Sequence, residues 1–488
     1  MSGSWRRLQG NVAATFRSPL WRPKGLRYSL ILFFFLLPLQ TRYIFREVPL
    51  YEYGTLSIFL VEVLGWGVIG LWAITQRRHS EEPRDEESHT VKQGTGSFAR
   101  LRMTLIGLVA VVFFSIIWAP DKLVALQGAI RLLEGVLLYL IMSASREQGT
   151  TKNSIATSGA WAFLVGAVLQ ASLGIYQFLT QSSFTSTIFG IALHDPQMLG
   201  TSVVQFEDQR WLRAYGGLPH PNVLGGYLVV ALAIALMLLI AYQRAEQSDK
   251  IVCGRTRFCQ LSLKVIIPIL MTGIFFSFSR ASWVAGIIVL GYLAVQSLRS
   301  ARIYPRVAAG FSPPHGDLKV AATTVPLASH KMLCYIVLIM LYAALLATIY
   351  HPLVFTRLHG TTRLETKSRV ERMGGLREGW ELVKTHPIIG VGIGNYTQTL
   401  QQFRPGQPLY LYQPVHNVPL LVWAELGLIG LALFIAALYL IARQSVVNAF
   451  MLLCFFVLMT MDHYLWTLPF GILLFWSIIG MLSAKNEE

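Results

Sequence analysis

The sequence predicts an all-α polytopic membrane protein of about twelve transmembrane helices, and three observations carry that prediction. Of the 488 residues, 54% are hydrophobic and only 14% are charged, whereas a soluble globular chain is about a quarter charged. Predominantly apolar runs that approach the ~20 residues of a membrane span recur about a dozen times. Lys and Arg are shared unevenly between alternate loops, as expected of a chain that crosses a bilayer repeatedly.

Helices are expected near 28–45, 55–75, 103–119, 123–143, 155–180, 222–242, 261–278, 281–298, 332–351, 417–441, 447–461 and 465–483. Residues 1–27 then form a cytoplasmic N-terminal segment and 28–180 hold helices 1–5. A periplasmic loop covers 181–221, helices 6–9 fill 222–351, and a large periplasmic catalytic loop covers 352–416. Helices 10–12 fill 417–483, and 484–488 form a cytoplasmic tail. The first apolar run begins near Tyr28 without an A-x-A-like cleavage site, so no signal peptide is expected.

Orientation follows from the basic residues. Segments facing the same way as the N-terminus hold 26 of the 41 Lys and Arg, the opposite segments hold 14, and Arg131 lies within a span. Eight of those 14 belong to the 352–416 loop, and loops longer than ~60 residues largely escape the positive-inside rule. Both termini are therefore expected in the cytoplasm, and the long loops outside it.

Composition also excludes some functions. The net charge of +16 is scattered over many loops rather than gathered in one stripe, which argues against nucleic-acid binding. Cys253, Cys259, Cys334 and Cys454 form no CxxC and have no His-rich partner, so neither zinc nor a disulfide is expected. The 76–96 segment mixes charges, lacks aromatics and reads as disordered, and 299–330 reads as an aperiodic connector.

The chemistry is expected on the outer loops, where side chains can be displayed by rigid helices. Within 352–416, TKSRVERMGGLREGWELVKTHP reads as an amphipathic helix over 368–384. Ser368 and Glu371 resemble a capping box, Val370, Met373, Trp380 and Val383 recur near helical spacing, and Pro387 ends the helix. The following GVGIGNY resembles a phosphate loop, but it follows a helix rather than a strand, so a dinucleotide site is rejected.

Arg280, in SFSRASW, sits in a hairpin too tight to keep it far from the membrane. It can anchor lipid headgroups or contact a lipid-linked phosphate. Arg213, in RWLRAYGGLPHPN, lies among aromatics that suit an interfacial belt or a sugar-phosphate site. His220 and Asn222 flank Pro221 at the next span, where Asn222 can start a helix or act as a ligand. Arg369 and its neighbours make the 352–416 loop basic, with eight Lys or Arg against four Glu and no Asp. They form either a solvated face or a bidentate phosphate site.

His416 and Asn417 open a span. They read either as a capping pair or as chemistry, because the positive end of a helix favours a neutral imidazole that can take a proton from a sugar hydroxyl. Asn417 could orient that ring. Asp462 can orient a histidine or bind a sugar hydroxyl, although an aromatic belt explains most of DHYLW. Arg131 and Glu134, three apart on one helix, read as a mutually neutralising pair, and Glu425 reads as a buried, hydrogen-bonded carboxyl.

These segments resemble the superfamily of O-antigen ligases and polymerases, bacterial inner-membrane transferases of undecaprenyl-pyrophosphate glycans. The matches run in order through LRAYGGLPHPNVLGGYL, SFSRASWVAGIIVLG, SRVERMGGLREGWELVKTHPIIGVGIGNY and HNVPLLVWAELGLIGL, with DHYLWTLPFGILLFWSIIG at the end. The resemblance implies a multi-helix membrane glycosyltransferase-like fold and metal-independent, inverting transfer from undecaprenyl pyrophosphate, with no cofactor and no nucleotide sugar. The acceptor would be a glycolipid such as lipid A-core or a growing glycan chain. By the same resemblance His416 is the general base, Gly427 and Gly430 match the later glycines of the family's pattern, and Arg213, Arg280 and Arg369 bind the pyrophosphate. Polymerisation, transfer to a protein such as pilin, and transport of the lipid-linked glycan are the competing readings. No internal repeat of the kind many transporters carry is evident.

Overall fold

The computed structural model describes residues 23–49, 51–81, 96–144, 152–248, 254–310, 319–360 and 362–483. In chain order these form α1 (Pro23–Leu36), β1 (Arg42–Arg46), β2 (Leu56–Phe59), α2 (Leu60–Glu81), α3 (Gly96–Phe114), α4 (Lys122–Ala144) and α5 (Lys152–Thr180). A second hairpin, β3 (Val203–Phe206) and β4 (Gln209–Leu212), precedes α6 (Pro221–Ser248), α7 (Gly254–Phe276), α8 (Arg280–Gly310) and α9 (Lys319–Ile349). Then come α10 (His351–His359), α11 (Arg363–Thr385), α12 (Tyr396–Phe403), α13 (Val418–Ala442), α14 (Val446–Met461), α15 (Tyr464–Thr467) and α16 (Pro469–Leu482). The protein is an all-α polytopic membrane protein with two small hairpins. Eight of its described helices are long and apolar enough to cross a bilayer. Four shorter apolar helices, Gly25–Leu36, Leu60–Gln76, Val446–Met461 and Pro469–Leu482, stand where the other expected spans were placed.

The shortened elements have physical causes. The expected 28–45 helix stops at Leu36, two residues before Pro38, which has no N–H to continue it. Residues 42–46 instead pair antiparallel with 56–59. There Arg42 meets Glu52, and Arg46 reaches the Asp121 carboxylate at 2.7 Å. The helix expected from 55 therefore begins at Leu60, and the Glu62 carboxylate accepts the Phe59 N–H at 2.8 Å in its first turn, where the helix end favours an acid. The last expected span is divided at Leu468, which is extended and precedes Pro469.

The connectors differ from expectation as well. Helix α2 runs on to Glu81 and α3 begins at Gly96, so of the segment expected to be disordered 82–95 lies outside the described residues. Helix α8 reaches Gly310 and α9 begins at Lys319, so 299–330 is largely helical, with 311–318 outside the described residues. Most of the 1–27 segment, the 484–488 tail and Cys253 also lie outside them. Cys259, Cys334 and Cys454 are free thiols.

The chain divides into two compact units. One comprises Met1–Gly166, Gly374–Leu452 and Asp462–Glu488, and the other Ala167–Met373 and Leu453–Met461. In the first, α4 packs along α16, α3 along α13 and α1 along α2. Gly135 faces the Trp476 ring and Gly480 lies 2.8 Å, measured from an added Cβ, from the Tyr139 backbone. Small residues of this kind let membrane helices approach closely where no hydrophobic effect drives them together. Arg131 does not pair with Glu134. Its Nε meets Glu62 at 2.8 Å and its Nη2 donates to the Ser57 carbonyl, while Glu134 is fully buried, with neither oxygen hydrogen-bonded among the described residues. Spacing three apart put the two residues on one helix, but the tertiary partner was the acid that starts α2.

In the second unit α6 is the central helix, 83% buried over its apolar window, as an all-round apolar helix must be. Helices α7, α8 and α9 pack around it, and α10 packs on β3.

Candidate active site

In the first unit, the residues of interest collect where α13 begins and around Asp462 and His463, just before α15. Asn417 caps α13, its Oδ1 accepting the Leu420 N–H at 3.0 Å. The capping reading of Asn417 is therefore what the geometry shows, and it leaves His416 one residue outside the helix. His416 Nδ1 lies 3.4 Å from Asp462 Oδ1, and its side chain is 32% exposed. The contact joins residues 46 positions apart in sequence. With a proton on Nδ1 facing the carboxylate, the lone pair lies on Nε2, the tautomer a base needs.

His463 stands behind this pair. Its ring centre is 5.0 Å from that of His416 and 6.0 Å from that of Tyr53, and its Nδ1 is 2.8 Å from Thr467 Oγ1. His416, Asp462 and His463 each offer a ligand atom within 4.8 Å of the others, so this is the one group of described residues able to hold a metal ion. Burial pushes the His463 imidazolium down from 6.5 to about 4, with Asp462 opposing the shift and His416 adding to it. Folding therefore favours the neutral ring. Its stabilising contribution is fully present above pH 6.5 and is lost as pH falls toward about 4. We expect the thermal midpoint to fall across that window and the slope to lessen in His463→Gln. The gap is worth at most about 3 kcal/mol, and scans at pH 7, 5.5 and 4.5 would measure it.

The glycine-rich stretch 390–394 is a structural splice. Helix α13 breaks at Gly427 (φ 67°, ψ −172°), and the backbone groups this frees are taken up by the loop. Val391 N–H donates to Ala424 O (2.9 Å), Gly392 N–H to Glu425 O (2.8 Å) and Leu428 N–H to Pro387 O (2.9 Å). Such compensation is required of a broken helix at membrane depth. Glu425 is a buried, hydrogen-bonded carboxyl as expected, accepting from Trp466 Nε1 at 2.8 Å.

In the second unit, the arginines converge on the tight turn between α7 and α8. Arg213 is 4% exposed and donates to the Ser277 carbonyl and to Asn222 Oδ1, both at 2.8 Å. Asn222 is thus a partner of Arg213, while His220 starts α6, its Nδ1 accepting the Asn222 N–H and its Nε2 lying 2.8 Å from Ser202 Oγ. Arg357, which sequence reasoning missed, is 6% exposed, donates to the Phe278 carbonyl at 2.8 Å and pairs with Glu365. Arg280 Nη2 lies 3.6 Å from the other oxygen of Glu365. Burial pushes Arg213 and Arg357 below the ordinary arginine range. The charge of Arg357 then adds to the shift of Arg213, while Glu365 opposes that of Arg357.

Arg369 stands exposed on α11, whereas the charge of Arg372 bears on both buried arginines. Helix α11 begins at Arg363 rather than at 368, so Ser368 is inside it and Glu371 pairs along the helix with Lys367 at 3.7 Å. Of the apolar positions on this helix, Val383 is buried, while Val370, Met373 and Trp380 are exposed. The signal for Arg357 was its setting: in PLVFTRLHG the arginine follows a largely apolar run, and a cation in apolar sequence needs a buried partner.

Residues 265–435 match a family model described as O-antigen ligase, a segment that includes Arg280, Arg357, Glu365 and His416. No curated protein matches the chain.

Proposed function

We propose that this chain, a member of the O-antigen ligase superfamily, transfers a glycan from undecaprenyl pyrophosphate to an acceptor hydroxyl on the periplasmic face, inverting the anomeric centre without a metal. The observation that carries this reading is the His416–Asp462 pair at a partly exposed helix start. Nε2 of His416 takes the proton of the acceptor hydroxyl, whose oxygen attacks the anomeric carbon as the bond to the pyrophosphate breaks. Asp462 holds the ring and offsets the imidazolium that forms. Undecaprenyl pyrophosphate leaves with the bonding electrons, and Arg280, backed by Arg213 and Arg357, offsets the charge it gains. Arg369 is exposed and would act at the approach of the substrate.

The test is the purified protein in liposomes with undecaprenyl-pyrophosphate oligosaccharide and lipid A-core. Glycan on lipid A-core is the expected product. Longer lipid-linked chains without an acceptor would make the protein a polymerase, glycan on added pilin would make it a protein transferase, and translocation without transfer would remove the enzyme reading. Chelation with EDTA is expected to leave the rate within about twofold. Loss that a divalent ion restores would make His416, Asp462 and His463 a metal centre and end the base assignment.

A further inference from the structure

We infer that Arg357 and Glu365 are positioning residues: their buried ion pair clamps the turn 277–279 and thereby sets Arg280 for the diphosphate of the substrate. This rests on the anion role proposed above for the arginine cluster.

The turn itself calls for a clamp. Phe278 has φ 45°, a left-handed conformation that a bulky residue keeps only when its surroundings enforce it. Two guanidinium groups do so from consecutive carbonyls, Arg213 on Ser277 and Arg357 on Phe278, each at 2.8 Å. Arg280, the first residue of α8, follows two positions later, so its backbone direction is inherited from this turn.

Glu365 is built into the arrangement asymmetrically. One oxygen pairs with Arg357; the other is buried, has no hydrogen-bond partner among the described residues, and lies 3.6 Å from Arg280 Nη2. A pair serving stability alone would have both oxygens satisfied, since a buried carboxylate oxygen without a donor is costly. Here the spare oxygen holds a half-exposed cation by charge without a hydrogen bond, leaving that guanidinium's donors for a ligand. The charges of Arg280 and Arg372 bear on Arg357, and those of Arg357 and Arg372 bear on Arg213, beside the single carboxylate of Glu365, an excess of positive charge that suits a multiply charged anion.

Inorganic pyrophosphate is the probe, titrated calorimetrically into the full-length protein in detergent. The double variant Arg357→Gln/Glu365→Gln removes one charge of each sign, so the net charge of the site is unchanged and the remaining effect is one of position. Arg280→Gln is expected to raise the pyrophosphate Kd about tenfold, equivalent to ~1.4 kcal/mol. The double variant should raise it about fivefold with the unfolding temperature unchanged, and adding it to Arg280→Gln should cause no further loss. An unchanged Kd in the double variant, or losses that multiply in the triple variant, would overturn the inference. If Arg280→Gln leaves Kd unchanged, the anion role of the cluster falls and the inference falls with it. Should the double variant unfold, Arg357→Lys keeps the charge beside Glu365 without the fork that also reaches Phe278. The same fivefold weakening is expected there, and an unchanged Kd overturns the inference equally.

Discussion

Replacement of His416 by Gln is expected to lower the initial rate of glycan transfer in liposomes by about 10²–10⁴-fold, the usual worth of a positioned general base, with the protein still folded. The expectation rests on placement. Asn417 spends its side chain on the helix cap, so His416 is freed from capping and presented at the mouth of α13 with Asp462 on its Nδ1 side. Asp462→Asn is expected to give an intermediate rate, because an amide can still contact the ring but no longer stabilises the imidazolium or enforces the tautomer. Wild-type transfer by a folded His416→Gln protein would remove the base from the mechanism.

The second large effect is on folding. Gly427→Ala should abolish the folded, monodisperse protein, as read by size-exclusion chromatography of a fluorescent fusion in detergent. Its φ of 67° with ψ −172° belongs to a region that is essentially glycine's alone, and leaving it costs on the order of 1–3 kcal/mol before any clash. The clash is also severe, since a Cβ there would run into the carbonyl of Ile388. Gly390→Ala should fail for the reciprocal reason, its Cβ meeting the Glu425 backbone, whereas Gly67→Ala, with nothing within 4 Å of its Cβ, should behave as wild type. A normal elution profile for Gly427→Ala would show that the splice between the loop and α13 is dispensable.

The two predictions differ in how far the sequence already supported them. His416 stood out because an imidazole at a helix entrance has few structural uses, and its motif matched a family pattern. Gly427 entered only as a motif glycine. Its role depends on a loop some 35 residues earlier supplying the donors and acceptors that the broken helix releases, and no local pattern encodes that pairing. Arg131 shows the same limit from the other side. Helical spacing paired it with Glu134, but the structure gave it Glu62, because contact across helices is set by packing rather than by spacing along one of them.

What the sequence alone determined is the membrane class, the succession of apolar helices, the presence of a helix over 368–384 in the long loop, and the residue types proposed to carry chemistry. These depend on composition and short-range periodicity, which are properties of the chain itself. The tertiary structure decided which polar groups share a partner. It placed Asp462 and His463 beside His416, brought Arg357 to the turn that precedes Arg280, and gave Glu365 to both arginines. It also made a hairpin of residues expected to continue the first helix. The reason is physical: a charge buried in a membrane protein is stable only with a specific counter-charge or dipole at close range, and the residue that supplies it can lie anywhere in the chain.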